Sequence, residues 1–364
     1  MRKTILCSLL VLLLLISGCQ SAKEHTKTGQ EPEAIPVTET AGLDSAPAEQ
    51  STSFFAMDTY MTLRFWGGGD TLSDEAEALV RGMESSLSTT AEGSEIFRLN
   101  QCRSAELSEE AAYLLSRAMR LCAETDGALD ISIYPVVRAW GFANPEGSYR
   151  VPEPEELQVL LENVDYSRIE LDGNSVMLAP GMQIDLGAVT KGRLGDRLSE
   201  LLRQNGVKSA LLDLGGNIQT VGTKPDGTSW RIGVQDPAGA SYLGILEVTD
   251  CAVVTSGGYE RYFIDDDGIL RWHILDPADG YPATNGLVSV TIVGAEGLYC
   301  DALSTGLFIL GPEKAITFWQ AHRDFEMVLV TEDNEVLLTP LLAERFTPTE
   351  GCGYSIEVIS DAEN

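Results

Sequence analysis

Residues 190–214 read TKGRLGDRLSELLRQNGVKSALLDL. Leucines 194, 198, 201 and 202 share one face of a 3.6-residue period, which predicts a helix over Thr190–Gln204. Beyond it, Ala210–Leu214 is a short apolar run and predicts a strand. From Ser209 to Val293 strands and turns dominate, with Trp230–Gln235, Leu243–Val248 and Val288–Val293 the clearest runs. Upstream, Phe54–Trp66 reads as a strand and Thr71–Leu87 as a helix with apolar residues at 76, 79, 80, 83 and 87. Ser108 can cap a helix whose apolar set is 111, 114, 115, 118, 119 and 122, ending before Asp126-Gly127. Short helical pieces follow around Tyr134–Trp140 and after Pro154, then short strands at Ile169–Leu171, Ser175–Leu178 and Met182–Leu186. Downstream, Leu298–Leu310 and Glu313–His322 are helical, and strands resume at Phe325. Strands and helices therefore come in runs, which favours an α+β fold over a doubly wound one. Neither GxGxxG nor a GxxxxGK phosphate loop occurs, and there is no short-period repeat.

The N-terminus adds a location. Arg2 and Lys3 precede an apolar run, Ile5 to Ile16, broken only by Ser8, and Ser17-Gly18-Cys19 follow. A spanning helix needs about 20 apolar residues, so residues 1–18 read as a cleaved signal peptide. Ile16-Ser17-Gly18-Cys19 resembles a bacterial lipobox, which implies acylation of Cys19 and a lipid-anchored position on the extracytoplasmic face of the cell membrane. Residues 20–50 are rich in Thr, Glu, Pro and Ala and lack aromatic residues. With Cys19 they form an expected disordered linker, 19–50, with a root-mean-square reach of about 30 Å. The folded body is expected over 51–364.

With 25 basic and 55 acidic residues the formal charge is −30. Removal of residues 1–18 takes two basic residues and leaves 23 − 55 = −32. Nucleic acid is excluded as a partner by that balance, and a polyphosphate ligand would need a cation supplied with its site. Cys7 leaves with the signal peptide and Cys19 is used by the lipid, so Cys102, Cys122, Cys251, Cys300 and Cys352 remain. Without a CxxC they read mostly as small buried apolar residues, with at most two disulfides among them.

Six segments join turns to acidic, hydroxyl or basic residues without an obvious packing purpose. They are Phe55-Ala-Met-Asp-Thr59, Asp126-Gly-Ala-Leu-Asp130, Ile184-Asp-Leu-Gly-Ala-Val-Thr-Lys-Gly192, Thr255-Ser-Gly-Gly-Tyr259, His273-Ile-Leu-Asp-Pro-Ala-Asp-Gly-Tyr-Pro282 and Asp301-Ala-Leu-Ser-Thr305. Asp301 and Thr305, four apart on a helix, share a face and suit a hard cation that completes its shell with water, carbonyl and phosphate oxygen; a solvated first helical turn explains them as well. Asp185 to Lys191 reads as a strand end, a Gly turn and a helix start, where free amides and a lysine suit phosphate, or as a plain strand-to-helix corner. Asp213-Leu-Gly-Gly-Asn217 reads as a turn between strands or a site edge, and Ser256-Gly257-Gly258 as a hairpin or a close approach to a ligand. Of three histidines, His25 lies in the linker and His322 near a helix end, so His273 is the first candidate for a general base.

In order and wording these segments resemble the ApbE family, the FAD:protein FMN transferases, from about Phe54 to Leu338. The resemblance implies an α+β, T-fold-related body of two related halves. It implies an FAD pocket lined by Met57, by Ala128, Leu129 and Asp130, by Asp185 and Lys191, and by the backbone at Leu275. It implies a Mg²⁺ held by the Ala188 carbonyl, the Asp301 carboxylate and the Thr305 hydroxyl, with His273 as catalytic base. The implied reaction moves the FMN half of FAD onto a threonine of an exported or membrane acceptor flavoprotein and releases AMP. FAD hydrolysis to FMN and AMP, or flavin binding without catalysis, are the alternatives. Two positions depart from the family pattern: Thr90 stands where many relatives place an aromatic residue, and Ser304 where some carry an acidic one.

Overall fold

The computed structural model describes residues 47–143, 149–239 and 241–360. The expected signal peptide, Cys19 and nearly all of the expected linker lie outside the described residues. The first strand, β1 (Glu49–Ala56), begins two residues before the expected start of the body at Ser51.

The single strand expected over Phe54–Trp66 is a hairpin. β1 pairs antiparallel with β2 (Thr59–Trp66) from Glu49↔Trp66 to Ala56↔Thr59, so Met57-Asp58 is a two-residue loop. Both loop residues have positive φ, 49° and 58°, the arrangement of a type I′ turn that Asn-Gly usually occupies. The chain then enters α1 (Leu72–Leu87), α2 (Glu95–Cys102), β3 (Ser104–Glu106) and α3 (Glu109–Glu124). Ser108 caps α3 by accepting from the Ala111 amide, as its position predicted. α4 (Tyr134–Trp140), α5 (Pro154–Leu161), β4 (Glu170–Asp172) and β5 (Ser175–Met177) follow, the last two forming a small sheet with β3.

Residues 182–186 are not a strand. Met182, Ile184 and Leu186 are buried in alternation, which mimics strand periodicity. Their central residue, however, pairs with a side chain, Asn100 accepting from the Ile184 amide (2.7 Å) and donating to the Ile184 carbonyl (2.8 Å), while the Asp185 amide donates to the Ile131 carbonyl (2.8 Å). The following helix, α6 (Gly187–Gln204), starts three residues before the expected Thr190.

β6 (Ser209–Asp213) and β7 (Asn217–Val221) make a hairpin, so Asp213–Asn217 is a turn. Next come β8 (Trp230–Gln235), β9 (Tyr242–Val248), β10 (Ala252–Gly257), β11 (Tyr262–Ile264), β12 (Leu270–Trp272) and β13 (Leu287–Gly294). Ser256-Gly257-Gly258 is the end of β10 and not a hairpin, because β10 pairs with β7 and β13. α7 (Gly297–Leu310), α8 (Pro312–His322), β14 (Glu326–Thr331), β15 (Glu335–Leu338), α9 (Pro340–Ala343), β16 (Phe346–Pro348) and β17 (Ser355–Val358) complete the described chain.

The main sheet has the order β1-β2-β6-β7-β10-β13-β14-β15-β17. Its first four strands are two hairpins separated in sequence by helices ending with α6. β10 and β13, then α7 and α8, then β14 and β15 repeat that plan, giving the two related α+β halves. Helices cover one face. On the other, β8, β9 and β16 bury Trp230, Val234 and Leu246 against Val253, Val293 and Val328. The halves join where β7 meets β10 through three registered pairs, and where α6 crosses α7. Of the five cysteines, Cys122 and Cys300 are buried as expected, Cys251 and Cys352 are half-buried, Cys102 is exposed, and all five are free. Among the described residues no helix is long and apolar enough to cross a membrane.

Candidate active site

The crossing of α6 and α7 creates the centre of the site. A β-carbon on Gly192 would lie 2.2 Å from the Gly297 carbonyl oxygen, and one on Gly297 2.5 Å from the Gly192 carbonyl oxygen. Only glycine at both positions lets the two backbones touch. Asp196 of α6 strengthens the contact by accepting from the Gly297 (2.6 Å) and Leu298 (3.0 Å) amides at the start of α7. Burial pushes the Asp196 carboxyl up to about 6 although those amides and Arg193 favour its charge.

That close approach lets the Gly192 amide donate to Asp301 Oδ2 at 2.8 Å. Gly192 is also the residue whose amide, in a regular helix, faces the carbonyl of Ala188. The Ala188 oxygen and the Asp301 carboxylate are thereby neighbours. Burial raises the Asp301 carboxyl above its ordinary range, while the Lys191 charge and the Gly192 amide favour the ionised form. Asn217 is also buried, and its Nδ2 makes no hydrogen bond among the described residues. One turn along α7, Ser304 donates to the Asp301 carbonyl (2.8 Å), and Ser256 bridges the Ser304 (2.8 Å) and Thr305 (3.3 Å) hydroxyls. Since Ser304 spends its proton on that carbonyl, Ser256 donates to Ser304 and accepts from Thr305. Thr305 Oγ1 keeps lone pairs for a cation.

The opposite wall follows β10. Gly258 packs against the Trp272 ring, where a β-carbon would sit 2.9 Å from ring atoms. His273, directly after β12, is held twice by the Arg261 carbonyl: its amide donates at 3.0 Å and Nδ1 lies 3.2 Å away. A carbonyl can only accept, so Nδ1 carries the proton and Nε2 presents a lone pair. Burial lowers the His273 imidazole to about 4, with the Arg261 and Lys191 charges acting in the same direction, so the ring is neutral at pH 7. Glu260 is accessible yet recessed in the cleft, and desolvation with the nearby Asp301 charge pushes its carboxyl up to about 7, against the opposing charge of Lys191.

The third side is the tip of the β1–β2 hairpin. The Met57 amide donates to Glu84 Oε1 of α1 at 2.6 Å, which holds an otherwise costly left-handed methionine in place. Gly215 of the β6–β7 turn packs onto Thr59, and a β-carbon there would lie 2.0 Å from Thr59 Oγ1. Asp185 accepts from the Gly187 amide (2.7 Å); burial raises its carboxyl, and the Arg261 charge opposes that shift.

The Lys191 charge acts on Glu260, His273 and Asp301 and the Arg261 charge on Asp185 and His273, so these groups lie close together, with Thr305 one helical turn beyond Asp301, Ala188 three residues before Lys191 and Met57 next to Asp58, the ion-pair partner of Arg261. The segment 128–130 is different in kind. Asp130 is buried and accepts from the Ser132 amide (2.8 Å), the Ser132 hydroxyl (2.6 Å) and the Tyr166 amide (3.1 Å), so its carboxylate caps local backbone. Leu129 is buried against α7, where a β-carbon on Gly306 would come within 3.6 Å of its Cβ, and Ala128 beside it is half-buried. Leu275 is buried and bridged to Pro282, which fixes the turn after His273. Thr90 is exposed; beside it the buried Tyr134 donates to the Thr89 carbonyl (3.4 Å). Sequence reasoning singled out none of Asp58, Asn217, Glu260 and Arg261, although Asp58 and Asn217 lie inside quoted segments and Glu260 and Arg261 directly follow Thr255–Tyr259.

The residues fit a hard divalent cation. Asp301 is a buried carboxylate with no ion-pair partner within 4.0 Å among the described residues, and a carbonyl and a free hydroxyl lone pair stand nearby. Among the described residues no three His, Cys, Asp or Glu side chains cluster, so such a cation would rely on mixed oxygen donors and substrate.

Residues 57–329 match the model of the ApbE family. The chain is 32% identical over 317 residues to the FAD:protein FMN transferase of Klebsiella pneumoniae, covering 84% of this chain and 96% of that protein. It is 32% identical over 270 residues to the FAD:protein FMN transferase of Vibrio cholerae, covering 72% and 80%. Among solved structures, the ApbE protein of Thermotoga maritima superposes with a TM-score of 0.74 at 29% identity, over 83% of this chain and 97% of that one. The flavin transferase ApbE of Vibrio cholerae superposes with 0.72 at 27% identity, over 85% and 99%.

Proposed function

The chain belongs to the ApbE family, and from that premise we infer that it is an FAD:protein FMN transferase. The observation that carries the chemistry is the convergence of a neutral histidine, Lys191 and a buried oxygen-donor set in one cleft. The acceptor threonine hydroxyl would give its proton to His273 Nε2 as its oxygen bonds the phosphorus of the FMN half. The bridging P–O bond breaks and AMP leaves with that electron pair. Lys191 offsets charge on the phosphate oxygens, and Arg261, through its carbonyl, keeps Nδ1 protonated and Nε2 free. Ala188, Asp301 and Thr305 would hold a Mg²⁺. When bound, it would supply Lewis-acid stabilisation of the phosphoryl charge.

The acceptor we propose is an exported or membrane flavoprotein of electron transfer, reached by a body tethered through a lipid on Cys19. The apolar run ending in the lipobox-like Ile16–Cys19 and the long polar linker support that reading. The test is direct. The full chain is incubated with FAD, Mg²⁺ and an acceptor carrying an Asp-x-x-Ser/Thr-Gly-Ala-Thr-like sequence, and flavin fluorescence is read on the denatured acceptor. Labelling is expected, with at least about a 100-fold loss in His273→Ala. Free FMN and AMP formed equally fast without acceptor would overturn transfer in favour of hydrolysis. In cells, Cys19→Ser should lower labelling while the purified variant keeps its activity; equal loss in both would remove the tether.

A further inference from the structure

Arg261 holds His273 with its backbone, and its side chain is left with almost nothing to do. The guanidinium makes no hydrogen bond among the described residues. Its one ion pair among the described residues, to Asp58 Oδ2, is 3.9 Å long, and the two side chains are 35% and 61% exposed. A pair of that length and exposure contributes little stability. Yet the guanidinium lies near enough to Asp185 and His273 for its charge to act on both. Its charge favours the ionised form of Asp185 and disfavours protonation of His273. It stands on the hairpin side of the cleft, whereas Lys191 serves the side of Glu260 and Asp301.

We propose that Arg261 is a phosphate-binding residue of this cleft, and that Asp58 occupies its guanidinium until a phosphate of the dinucleotide takes the carboxylate's place. This rests on the reading that the site takes FAD. A guanidinium presents a planar fork of donors that matches two phosphate oxygens, and a distant single carboxylate leaves that fork unused. The backbone is pre-set for the task, because the Arg261 carbonyl is pinned by two contacts from His273 while the side chain stays free to turn. Asp58 sits at the tip of a two-residue loop with φ 58°, so withdrawing its carboxylate requires only a rotamer change. The charges present also suit this role: Lys191 and Arg261 are the side-chain cations acting on Asp185, Glu260, His273 and Asp301, and a pyrophosphate brings two negative charges.

The experiment compares FAD with riboflavin, which has the same ring and no phosphate, by flavin fluorescence titration of the full chain with Mg²⁺ present. The wild-type chain, Arg261→Ala, Arg261→Lys and Asp58→Asn are tested together. Arg261→Ala should weaken FAD binding by about 10- to 100-fold and leave riboflavin unchanged. Arg261→Lys should recover only part of that loss, because it restores charge without the fork. Asp58→Asn tolerates the left-handed backbone and should tighten FAD binding a few-fold at low salt, again without effect on riboflavin. Equal weakening of both ligands in both Arg261 variants would mean a packing role and overturn the proposal, as would weaker FAD binding in Asp58→Asn. Binding of neither ligand by the wild-type chain would instead remove the flavin reading, and the proposal with it.

Discussion

The low pKa of His273 decides when this site can work. Its neutral form is the base, so protonation of His273 should lower kcat/KM as pH drops through about 4. The Lys191 and Arg261 charges both depress that value. Lys191→Ala should therefore move the acid limb upward, toward the ordinary histidine value near 6.5. A pH profile of kcat/KM for the two forms checks this; an unmoved limb would mean that the acid limb is not His273. The same residue shows why some of the site was legible and some was not. Three histidines in the whole chain make one before a turn conspicuous, and Asp301 and Thr305 declare themselves by a four-residue spacing. Arg261 and Glu260 carry no spacing signal, and their importance arises only when β10, β12 and α6 are folded together. Asp130 illustrates the reverse, since an acidic residue in a motif spends its oxygens on the amides of Ser132 and Tyr166.

Elements act here mainly through how closely they approach. Gly192→Ala puts a methyl group into the carbonyl of Gly297, a backbone atom that cannot turn aside. It should cost about 1–3 kcal/mol in urea unfolding and, by parting Lys191 from Asp301, weaken Mg²⁺-dependent activity more than stability alone explains. A variant as stable and active as the wild type would show that the helices can slide. Helices were the most legible elements, because α1, α3 and α6 carry amphipathic periods that local sequence displays. Strands were less so. A hairpin whose loop is Met-Asp in place of Asn-Gly has no turn signal, so β1 and β2 merge into one apparent strand. At 182–186 the period of two was real but the pairing partner was Asn100, and no reading of that segment alone reveals a side chain eighty residues upstream.

At the scale of the molecule, charge opposes the substrate. The formal charge of −30 surrounds a site in which Lys191 and Arg261 lie among the carboxyl groups of Asp58, Asp185, Glu260 and Asp301. A dianionic dinucleotide should therefore bind faster as salt rises from about 10 to 150 mM, over which the Debye length falls from about 30 to 8 Å. Stopped-flow association rates for FAD at fixed Mg²⁺ would show it, and a rate that falls with salt would mean that Lys191 and Arg261 dominate the approach path. The two-half plan has a consequence of another kind. Met57, Asp185, Ala188 and Lys191 precede the surface turn at 224–228, while Glu260, Arg261, His273, Asp301 and Thr305 follow it. The β7–β10 seam is only three registered pairs long. A chain cut at Asp226-Gly227 leaves neither piece a usable cleft, so turnover by the mixture would count reunited molecules: the enzyme is its own gauge of whether its halves have found each other.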